Sequence, residues 1–187
     1  MSNFKIWLII ISLAISNSIY SSINDYYPYK VIPSASNYGN TGILEMPNAR
    51  MMPEAQLRFN FSSSFPHEFT SLTASPFNWL ETTYRYTEIK NKNYGPSTYS
   101  DNQSLKDKGF DVKVRILRET YFLPSVALGL RDVAGTGLFS SEYIVSSKKF
   151  NNLDVSLGVG WGIIGTESYI SNPLKSFSES FKTRNDS

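Results

Sequence analysis

The stretch NLDVSLGVGWGII, residues 152–164, decides the fold class of this chain. Apolar residues occupy every second position, and the positions between them are polar or glycine. Successive side chains of a β-strand point to opposite faces, so this alternation predicts a strand with one apolar face. On the other face, Gly158, Gly160 and Gly162 weaken the strand, which indicates close approach by a plug segment, a neighbouring side chain or a ligand. Room for a bulky neighbour is favoured over a ligand contact.

The same two-residue period recurs upstream of this stretch. Together with it, the pattern predicts about seven strands, and no segment shows the 3.6-residue period of an amphipathic helix. The longest candidates approach the roughly 9–11 residues with which a β-strand crosses a membrane. A long polar loop is predicted over residues 90–108. The six upstream candidates cover about residues 57–62, 68–75, 79–88, 110–116, 126–131 and 138–148.

Composition excludes several classes of protein. The chain has 187 residues, a net charge of +2 and no cysteine. Without cysteine there is no disulfide framework, no thiolate metal site, no cysteine nucleophile and no lipid attachment to an N-terminal cysteine. Lysine and arginine are scattered rather than clustered with aromatic residues, so a nucleic-acid partner is not expected. Charged residues make up 18%, whereas about a quarter is usual in soluble domains.

Three regions are predicted along the chain. Residues 1–22 have the features of a cleaved secretory signal peptide, with Lys5 before an apolar run over residues 6–15. That run is too short to span a membrane, which takes about 20 apolar residues. Residues 23–54 are predicted to be an irregular periplasmic segment, and residues 55–187 an antiparallel β-barrel portion.

A soluble β-sandwich would alternate in the same way, because one face of each sheet packs on a core. A secreted or periplasmic sandwich that binds glycan or scaffolds an assembly is therefore the alternative. The signal peptide favours an outer-membrane barrel instead. So do the rings predicted on the apolar face, since membrane barrels carry aromatic girdles. These rings are Phe59, Phe61, Tyr84, Tyr86, Phe110, Tyr143 and Trp161.

The connections between strands favour the barrel as well. Those at residues 88–109, at residues 132–138 and after residue 164 fall on one side and include the long polar loop. The short connections near Pro76, Pro124 and Asn151 fall on the other side. Outer-membrane barrels have long loops outside and short turns in the periplasm.

Register then predicts which side chains face inward. If Val112 and Val114 face lipid, Lys113 faces the lumen, and a slip by one residue would place cations in hydrocarbon at about 2–4 kcal/mol each near the midplane. Applied to every strand, this reasoning predicts a polar, mixed-charge interior. Its predicted members are Arg58, Glu81, Arg85, Asp111, Lys113, Arg115, Arg131 and Asp154.

Catalytic chemistry is not expected. His67, the single histidine, is predicted to lie exposed in a turn, and without a cysteine or second histidine it makes no zinc site. Ser-His-Asp catalysis would depend on it, and no GxSxG motif is present, so a hydrolase is the least favoured hypothesis. Glu81 and Glu142 could be paired carboxylates of a glycosidase, but charge balance in a lumen is favoured. The GTG at residues 135–137 is a turn. We predict no catalytic, metal or cofactor site.

Several stretches, in order and with similar spacing, resemble the N-terminal part of the YjbH family. They are NYGNTGILEMPNARMMPEAQLRFNFS, SPFNWLETTYRYT, SLKDKGFDVKVRIL, LPSVALGLRDVAGTGLFSSEYIVSSKKF and LDVSLGVGWGIIG, within about residues 37–177. The resemblance implies a Gram-negative outer-membrane protein that supports export or surface assembly of exopolysaccharide. The implied partners are polysaccharide, outer-membrane lipid and other exopolysaccharide-secretion proteins. Tyr94 and Tyr99 of the polar loop are candidates for stacking on sugar rings.

Members of that family are several times longer than this chain. A closed barrel has an even strand number, with eight the usual minimum, and lipid does not tolerate unpaired strand edges. Either residues 166–187 supply a closing strand or the chain is a truncated or split product, and the second alternative is favoured. We therefore expect that these 187 residues alone do not form a heat-modifiable, detergent-stable barrel.

Overall fold

The computed structural model describes residues 33–165 and 171–176. The predicted signal peptide and most of the predicted closing tail lie outside these residues. Within them, strands dominate, with one helical turn, α1 (Ser97–Ser100), and a 3-10 turn at Pro173–Ser176. No helix in the described part of the chain is long and apolar enough to cross a membrane.

Seven strands form one antiparallel sheet in which each strand pairs with the next along the chain. A two-stranded ribbon, β1 (Gly42–Ile43) with β2 (Met46–Pro47), precedes them. The prediction of an all-β antiparallel fold is confirmed. Among the described residues β3 and β9 do not pair with each other, so the sheet has two outer strands. The seven strands are β3 (Gln56–Ser64), β4 (His67–Phe77), β5 (Leu80–Asn93), β6 (Ser104–Leu117), β7 (Ser125–Arg131), β8 (Ser141–Phe150) and β9 (Leu153–Gly162).

The long polar loop is shorter than predicted. The β5–β6 pairing continues through Glu88 with Lys106 and Ile89 with Leu105, so the connection covers only residues 94–103. The prediction of a loop over residues 90–108 was wrong because Leu105 is the single apolar residue in the strand portions of this stretch, residues 90–93 and 104–108, so no alternation is visible there. Backbone hydrogen bonds continue the hairpin without an alternating side-chain pattern.

The connections at residues 65–66, 94–103 and 132–140 share one end of the sheet, which we call the loop end. Those at residues 78–79, 118–124 and 151–152 share the opposite end, the turn end. The longest connection is at the loop end, as predicted. The asymmetry is partial, because the tight turn at 65–66 lies there too and the turn end includes residues 118–124.

The burial of the two faces of the sheet is the reverse of that in a soluble sheet. One face is buried and polar: Arg85 is 0% exposed, and Glu81 and Lys113 are 1% exposed. We call it the covered face. The other, the apolar face, exposes 71% of Phe59 and 75% of Leu157. In a soluble sheet the apolar face is the one that packs on a core.

Tyr143 lies on the covered face, which corrects its predicted place among the apolar-face rings. It is paired in register with Gly129 and Gly160 and is buried. A Cβ at Gly129 would lie 2.0 Å from Cζ of Tyr143. The tyrosine ring therefore lies over a glycine of the next strand, in the space that a side chain would otherwise occupy.

Two small apolar clusters are buried, and each contains a residue from before β3. Tyr38 contributes to the first and Ala49 to the second. The buried apolar side chains thus form two separate clusters, and the rest of the covered face is mainly polar. The first cluster consists of Tyr38, Phe69, Ile89 and Phe139, and the second of Ala49, Ala127, Tyr143 and Val145.

Candidate functional site

Residues 33–54, which we call the covering segment, lie against the covered face. Apart from the β1–β2 ribbon and a bridge between Ala35 and Thr41, the segment has no regular strand pairing. Several of its residues are nonetheless fully buried, including Asn40 and Met52. Buried backbone groups need hydrogen-bond partners, and without regular pairing they must find these on the sheet.

A buried ion pair at the centre of the sheet supplies such partners. Nζ of Lys113 lies 3.4 Å from Oε1 of Glu81. The carboxylate accepts hydrogen bonds from the Oγ1 of Thr41 at 2.7 Å and from the N–H of Met52 at 3.1 Å. The ammonium donates to the carbonyls of Thr41 at 3.0 Å and Arg50 at 2.8 Å. Both charges are therefore saturated by the covering segment, which offsets the cost of burying them.

Arg50 carries a charge from the segment to the sheet. Its guanidinium forms ion pairs with Glu119 and Asp154, with Nε 3.0 Å from Oδ2 of Asp154. Burial disfavours the cation, but the hydrogen bonds that it donates to Asp154 and Glu119 outweigh that effect and raise the pKa of Arg50 above its usual range. The cation therefore links the segment to β9 and to the 118–124 connection.

Further polar contacts hold the segment along its length. Ser147 accepts a hydrogen bond from the N–H of Ala49 at 2.8 Å, and Ser125 donates to its carbonyl at 3.1 Å. Near the other end, Arg58 and Thr73 each donate to the carbonyl of Gly39 at 2.9 Å. Four further strands, in addition to β5 and β6, thus hold the segment through its backbone.

Gly39 meets two requirements at once. Its φ of +96° lies in the region that glycine adopts most readily, and a Cβ there would lie 1.9 Å from Oγ of Ser71. A side chain at this position would push the covering segment away from β4. Contact between segment and sheet therefore depends on glycine here.

Two arginines enclose a ring of the segment at the loop end. Cζ of Arg131 lies 4.2 Å from the ring centroid of Tyr38, and Cζ of Arg85 lies 5.3 Å from it. Arg85 also lies 4.8 Å from the ring of Phe139 and 3.4 Å from Asp111. Desolvated cation–π contacts of this kind stabilise buried guanidinium groups.

All eight residues predicted to face a lumen lie on the covered face. Most are buried, while Arg58 and Arg115 are half-buried and Asp154 is exposed apart from its contact with Arg50. The strand register accounts for this, because it aligns Thr83 with Asp111 and Glu81 with Lys113. That this face borders a lumen stays a prediction. The buried members are Glu81, Arg85, Asp111, Lys113 and Arg131.

The sequence did not indicate the partners of these residues. Arg50 and Thr41 lie in a segment without periodicity, and Glu119 lies in a connection between strands. Nothing in their spacing distinguishes them from solvent-exposed loop residues. Their role depends on contacts between positions 29 to 104 residues apart in the chain.

The prediction that His67 lies exposed in a turn was wrong. His67 begins β4 and is half-buried, with its ring stacked 5.7 Å from Phe69 and edge-on to Phe139 at 5.8 Å. Turn residues 65 and 66 precede it, so the ring joins the aromatic contacts at the loop end. Its ring contacts are apolar, whereas a hydrolytic triad would need hydroxyl and carboxylate partners.

Glu81 and Glu142 lie on opposite faces of the sheet. Glu81 aligns with Lys113 on the covered face, whereas Glu142 aligns with Leu130 and Trp161 on the apolar face. Glu142 is buried there and accepts a hydrogen bond from Asn172 at 2.9 Å. Paired-carboxylate catalysis needs two acids on one substrate, so these two do not form such a pair. In the described part of the chain no cluster of acids and histidine could hold a metal.

The covered face has hydrogen-bonding capacity that the described protein atoms do not use. Nε and Nη2 of Arg85, Oγ1 of Thr87 and Oδ2 of Asp107 are buried without a partner in that part of the chain. Buried polar atoms are nearly always paired with protein or water. Water or hydroxylated molecules would satisfy these groups.

Gly158 and Gly160 of β9 border a cavity of about 450 Å³ between the β1–β2 ribbon and the covered face of β8 and β9. Ile43, Leu44 and Asn48 contribute to its wall. At Gly160 a Cβ would lie 2.3 Å from Cγ2 of Ile164. A neighbouring side chain, one of the three alternatives above, therefore accounts for this glycine.

The comparisons with known proteins agree with one another. The model of the YjbH family, described as exopolysaccharide biosynthesis protein, matches residues 34–187. An Escherichia coli K12 protein named "Uncharacterized lipoprotein YjbH" is 41% identical over 181 residues, which are 96% of this chain and 26% of that protein. The chain thus spans about a quarter of the length of this curated relative, and no solved structure matches. The relative is named a lipoprotein, whereas this chain contains no cysteine. The chain belongs to the YjbH family.

Proposed function

We propose that this chain forms part of the wall of an outer-membrane β-barrel that supports exopolysaccharide export or surface assembly without catalysis. One observation carries the proposal: the sheet buries its charged face and exposes its apolar face. Arg85 and Lys113 are almost fully buried, whereas Leu57 and Leu157 expose 73% and 75% of their area. Hydrocarbon around the sheet would cover the apolar face, as in membrane barrels.

The soluble alternative explains this arrangement less well. A β-sandwich packs two apolar faces about 10 Å apart, with polar faces in water. Here Phe59 aligns with Leu72, and Leu72 aligns through Tyr84 with Phe110, so that a row of exposed apolar side chains crosses β3 to β6. An apolar surface of this extent on a water-soluble protein would favour aggregation.

Aromatic residues at both ends of the strands also support membrane insertion. At the turn end, Phe77 stacks on Trp79 at 5.4 Å and Tyr121 contacts Phe122 at 4.9 Å. At the loop end, Phe65 exposes 81% of its area. Such rings occupy the two membrane interfaces of barrels.

The outer strands imply that more chain completes the wall. Lipid cannot satisfy unpaired backbone groups, so the outer edges of β3 and β9, which pair with no strand of the described residues, need further strands. This chain spans about a quarter of its E. coli relative. We propose that further strands of a longer protein, or of a second chain, pair with these edges.

The interior would then present polar groups to a glycan. The covered face combines both charges with unused donors and acceptors, such as Nη2 of Arg85 and Oδ2 of Asp107. Sugar hydroxyls can pair with such groups in place of water. Tyr94 and Tyr99 are exposed at the loop end, and their rings are accessible for stacking on sugar rings. Other exopolysaccharide-secretion proteins are the proposed protein partners.

The membrane assignment is tested with adjacent residues of β9. Because the chain contains no cysteine, Leu157→Cys and Ser156→Cys each give one labelling site, on opposite faces. A fluorophore at position 157 should be quenched by brominated acyl chains, and one at position 156 by aqueous iodide. The protein should also remain in the outer membrane after an alkaline wash. Equal iodide quenching at both sites and release by the wash would support a soluble sandwich.

Export is tested separately in a strain that lacks the gene. Surface exopolysaccharide should fall while polysaccharide accumulates in the periplasm, and the wild-type gene should restore the surface level. Loss of polysaccharide from both compartments would point to synthesis instead of export.

A further inference from the structure

The apolar face changes character at one level along β5 and β6. On β6, Phe110 is followed toward the loop end by Lys108 and then Lys106. On β5, Tyr86 is followed toward the same end by Glu88 and then Lys90. Both strands thus pass from apolar to charged side chains at neighbouring positions.

Lys106 and Lys108 lie two residues apart on the same face of β6, and the register aligns them with side chains of β5. Lys108 pairs with Tyr86, and Lys106 with Glu88, on strands that lie about 4.8 Å apart. Lys106 and Lys108 are exposed, and neither forms an ion pair with any residue in the described ranges. We call Lys90, Lys106 and Lys108 the lysine patch.

Two carboxylates lie beside the patch and reduce its charge. Glu68 forms an ion pair with Lys90, and Glu88 accepts a hydrogen bond from Ser104. The cations of Lys106 and Lys108 remain available to an external anion. Exposed pairs such as Lys90 with Glu68 are weak and exchange readily.

The turn end of the apolar face has no equivalent patch in the described chain. Its cation Lys148 donates to the carbonyls of Thr120 and Tyr121, the latter at 2.7 Å, and is thereby occupied by protein. Arg118 is exposed but lies in a connection rather than on a strand. The charge of the apolar face is therefore concentrated at the loop end.

We propose that the lysine patch binds the phosphate groups of glycolipid headgroups in the outer leaflet of the outer membrane. This inference rests on the proposed membrane location. Lysine on the lipid side of a barrel is costly near the midplane and cheap at the interface, so the patch belongs at headgroup level. There the ammonium groups lie at the depth of lipid phosphates, and the long side chains reach them.

The test measures binding of purified lipopolysaccharide to the full-length protein in a zwitterionic detergent. The wild type should bind saturably, and Lys106→Gln or Lys108→Gln should each weaken binding about five-fold. The double variant should weaken it about twenty-five-fold. Arg118→Gln is the matched control, because it removes one exposed cation at the other end, and should leave affinity within about two-fold.

Two further arms identify the ligand. Dephosphorylated lipopolysaccharide should bind about as weakly as the wild-type ligand binds the double variant, and added salt should weaken wild-type binding. Inorganic phosphate at the same phosphate concentration should not compete, since it lacks the lipid anchor. Equal binding of phosphorylated and dephosphorylated lipid, or equal losses for Arg118→Gln and the lysine variants, would overturn the proposal.

An alkaline wash of membranes carrying each variant separates this inference from the proposed function. Retention of all variants together with unchanged lipopolysaccharide affinity would refute the lipid site and leave the membrane wall standing. Release of the wild type would refute the membrane wall and, with it, the lipid site.

Discussion

The two faces of the sheet are built from the same strands, but one is buried and the other is exposed. On the covered face, Glu81 and Lys113 are buried, and residues 41–52 supply hydrogen-bond partners to both charges. On the apolar face, Leu157 and Phe59 lie exposed with no described segment above them. Burial of a side chain in this sheet therefore depends on contact with the covering segment and not on hydrophobicity.

A consequence concerns stability. The covered face depends on specific hydrogen bonds and ion pairs, which are lost together if the segment leaves. The apolar face depends on its surroundings, since its large apolar side chains such as Phe59 and Leu157 lie exposed in the described part of the chain. Substitutions on the covered face should therefore lower the free energy of unfolding, whereas substitutions on the apolar face should impair membrane assembly.

The largest effect is expected from Glu81→Ala. It leaves the ammonium of Lys113 buried without its carboxylate and removes the acceptor for Thr41 and Met52. Removing one partner of a buried pair costs about 3–5 kcal/mol. The urea midpoint of the full-length protein in detergent should fall accordingly, and protease should cleave the covering segment. Glu88→Ala, on the apolar side of the same strand, should cost under about 1 kcal/mol. Equal midpoints for both variants would contradict the comparison.

The next effect tests the surroundings of the apolar face. Leu128→Arg places a cation in the middle of β7 on that face, where membrane insertion predicts a cost of about 2–4 kcal/mol. The yield of protein assembled in the outer membrane should fall. Ser156→Arg, exposed on the covered-face side of β9, serves as the control and should assemble normally. Normal assembly of Leu128→Arg would mean that water, not lipid, contacts this face.

A smaller effect is expected where a ring lies over glycine. Gly129→Ala introduces a Cβ that would lie 2.0 Å from Cζ of Tyr143, and overpacking of this kind costs about 1–3 kcal/mol. The urea midpoint measures the loss. In a Tyr143→Ala background the same substitution should be nearly neutral, because the ring is gone. Additive losses in the double variant would show that the ring and the glycine act independently.

The smallest effect concerns pH. Burial raises the pKa of Asp132 above its ordinary 3.8, against the hydrogen bond from the N–H of Phe139, with Asp107 and Asp111 raising it and Arg85 lowering it. The folded state therefore binds this proton more tightly than the unfolded state. The contribution of Asp132 to the free energy of unfolding should therefore increase as the pH falls from neutral through the folded pKa. It should stop increasing below about pH 4, where the unfolded state is protonated as well.

Asp132→Asn removes that dependence. Asparagine tolerates the residue's φ of +56°, so the backbone is kept. The difference in urea midpoint between the variant and the wild type should shrink as the pH falls. A difference that stays constant from neutral pH to about pH 4 would show that the carboxyl does not titrate in this window.

Much of the fold was predictable because its signal is local. The period of two in residues 57–62 and 126–131 identified strands and the face of each side chain, and all seven strands of the sheet are present. The extension of β5 to Asn93 was not predictable, since the pattern there is polar on both faces. Tyr143 was misplaced because its aromatic character suggested the apolar face, whereas register with Gly129 gives it room on the other.

Only the part of the candidate site that lies on the sheet was predictable. The eight polar residues of the sheet follow from alternation, but Arg50 and Thr41 carry no pattern of their own. His67 was placed in a turn because Pro66 precedes it, while its ring joins Phe69 and Phe139 through the packing of the loop end.

By itself the sequence determined the strands and the division of side chains between two faces, because a strand repeats every two residues whatever surrounds it. It also determined the family, through long matched stretches. Only the tertiary structure decided which face is buried and by what, because the covering segment is bound through its backbone and through side chains such as Arg50, neither of which gives a periodic signal. The ion pairs that hold it join residues far apart in the chain, and no local pattern records such contacts.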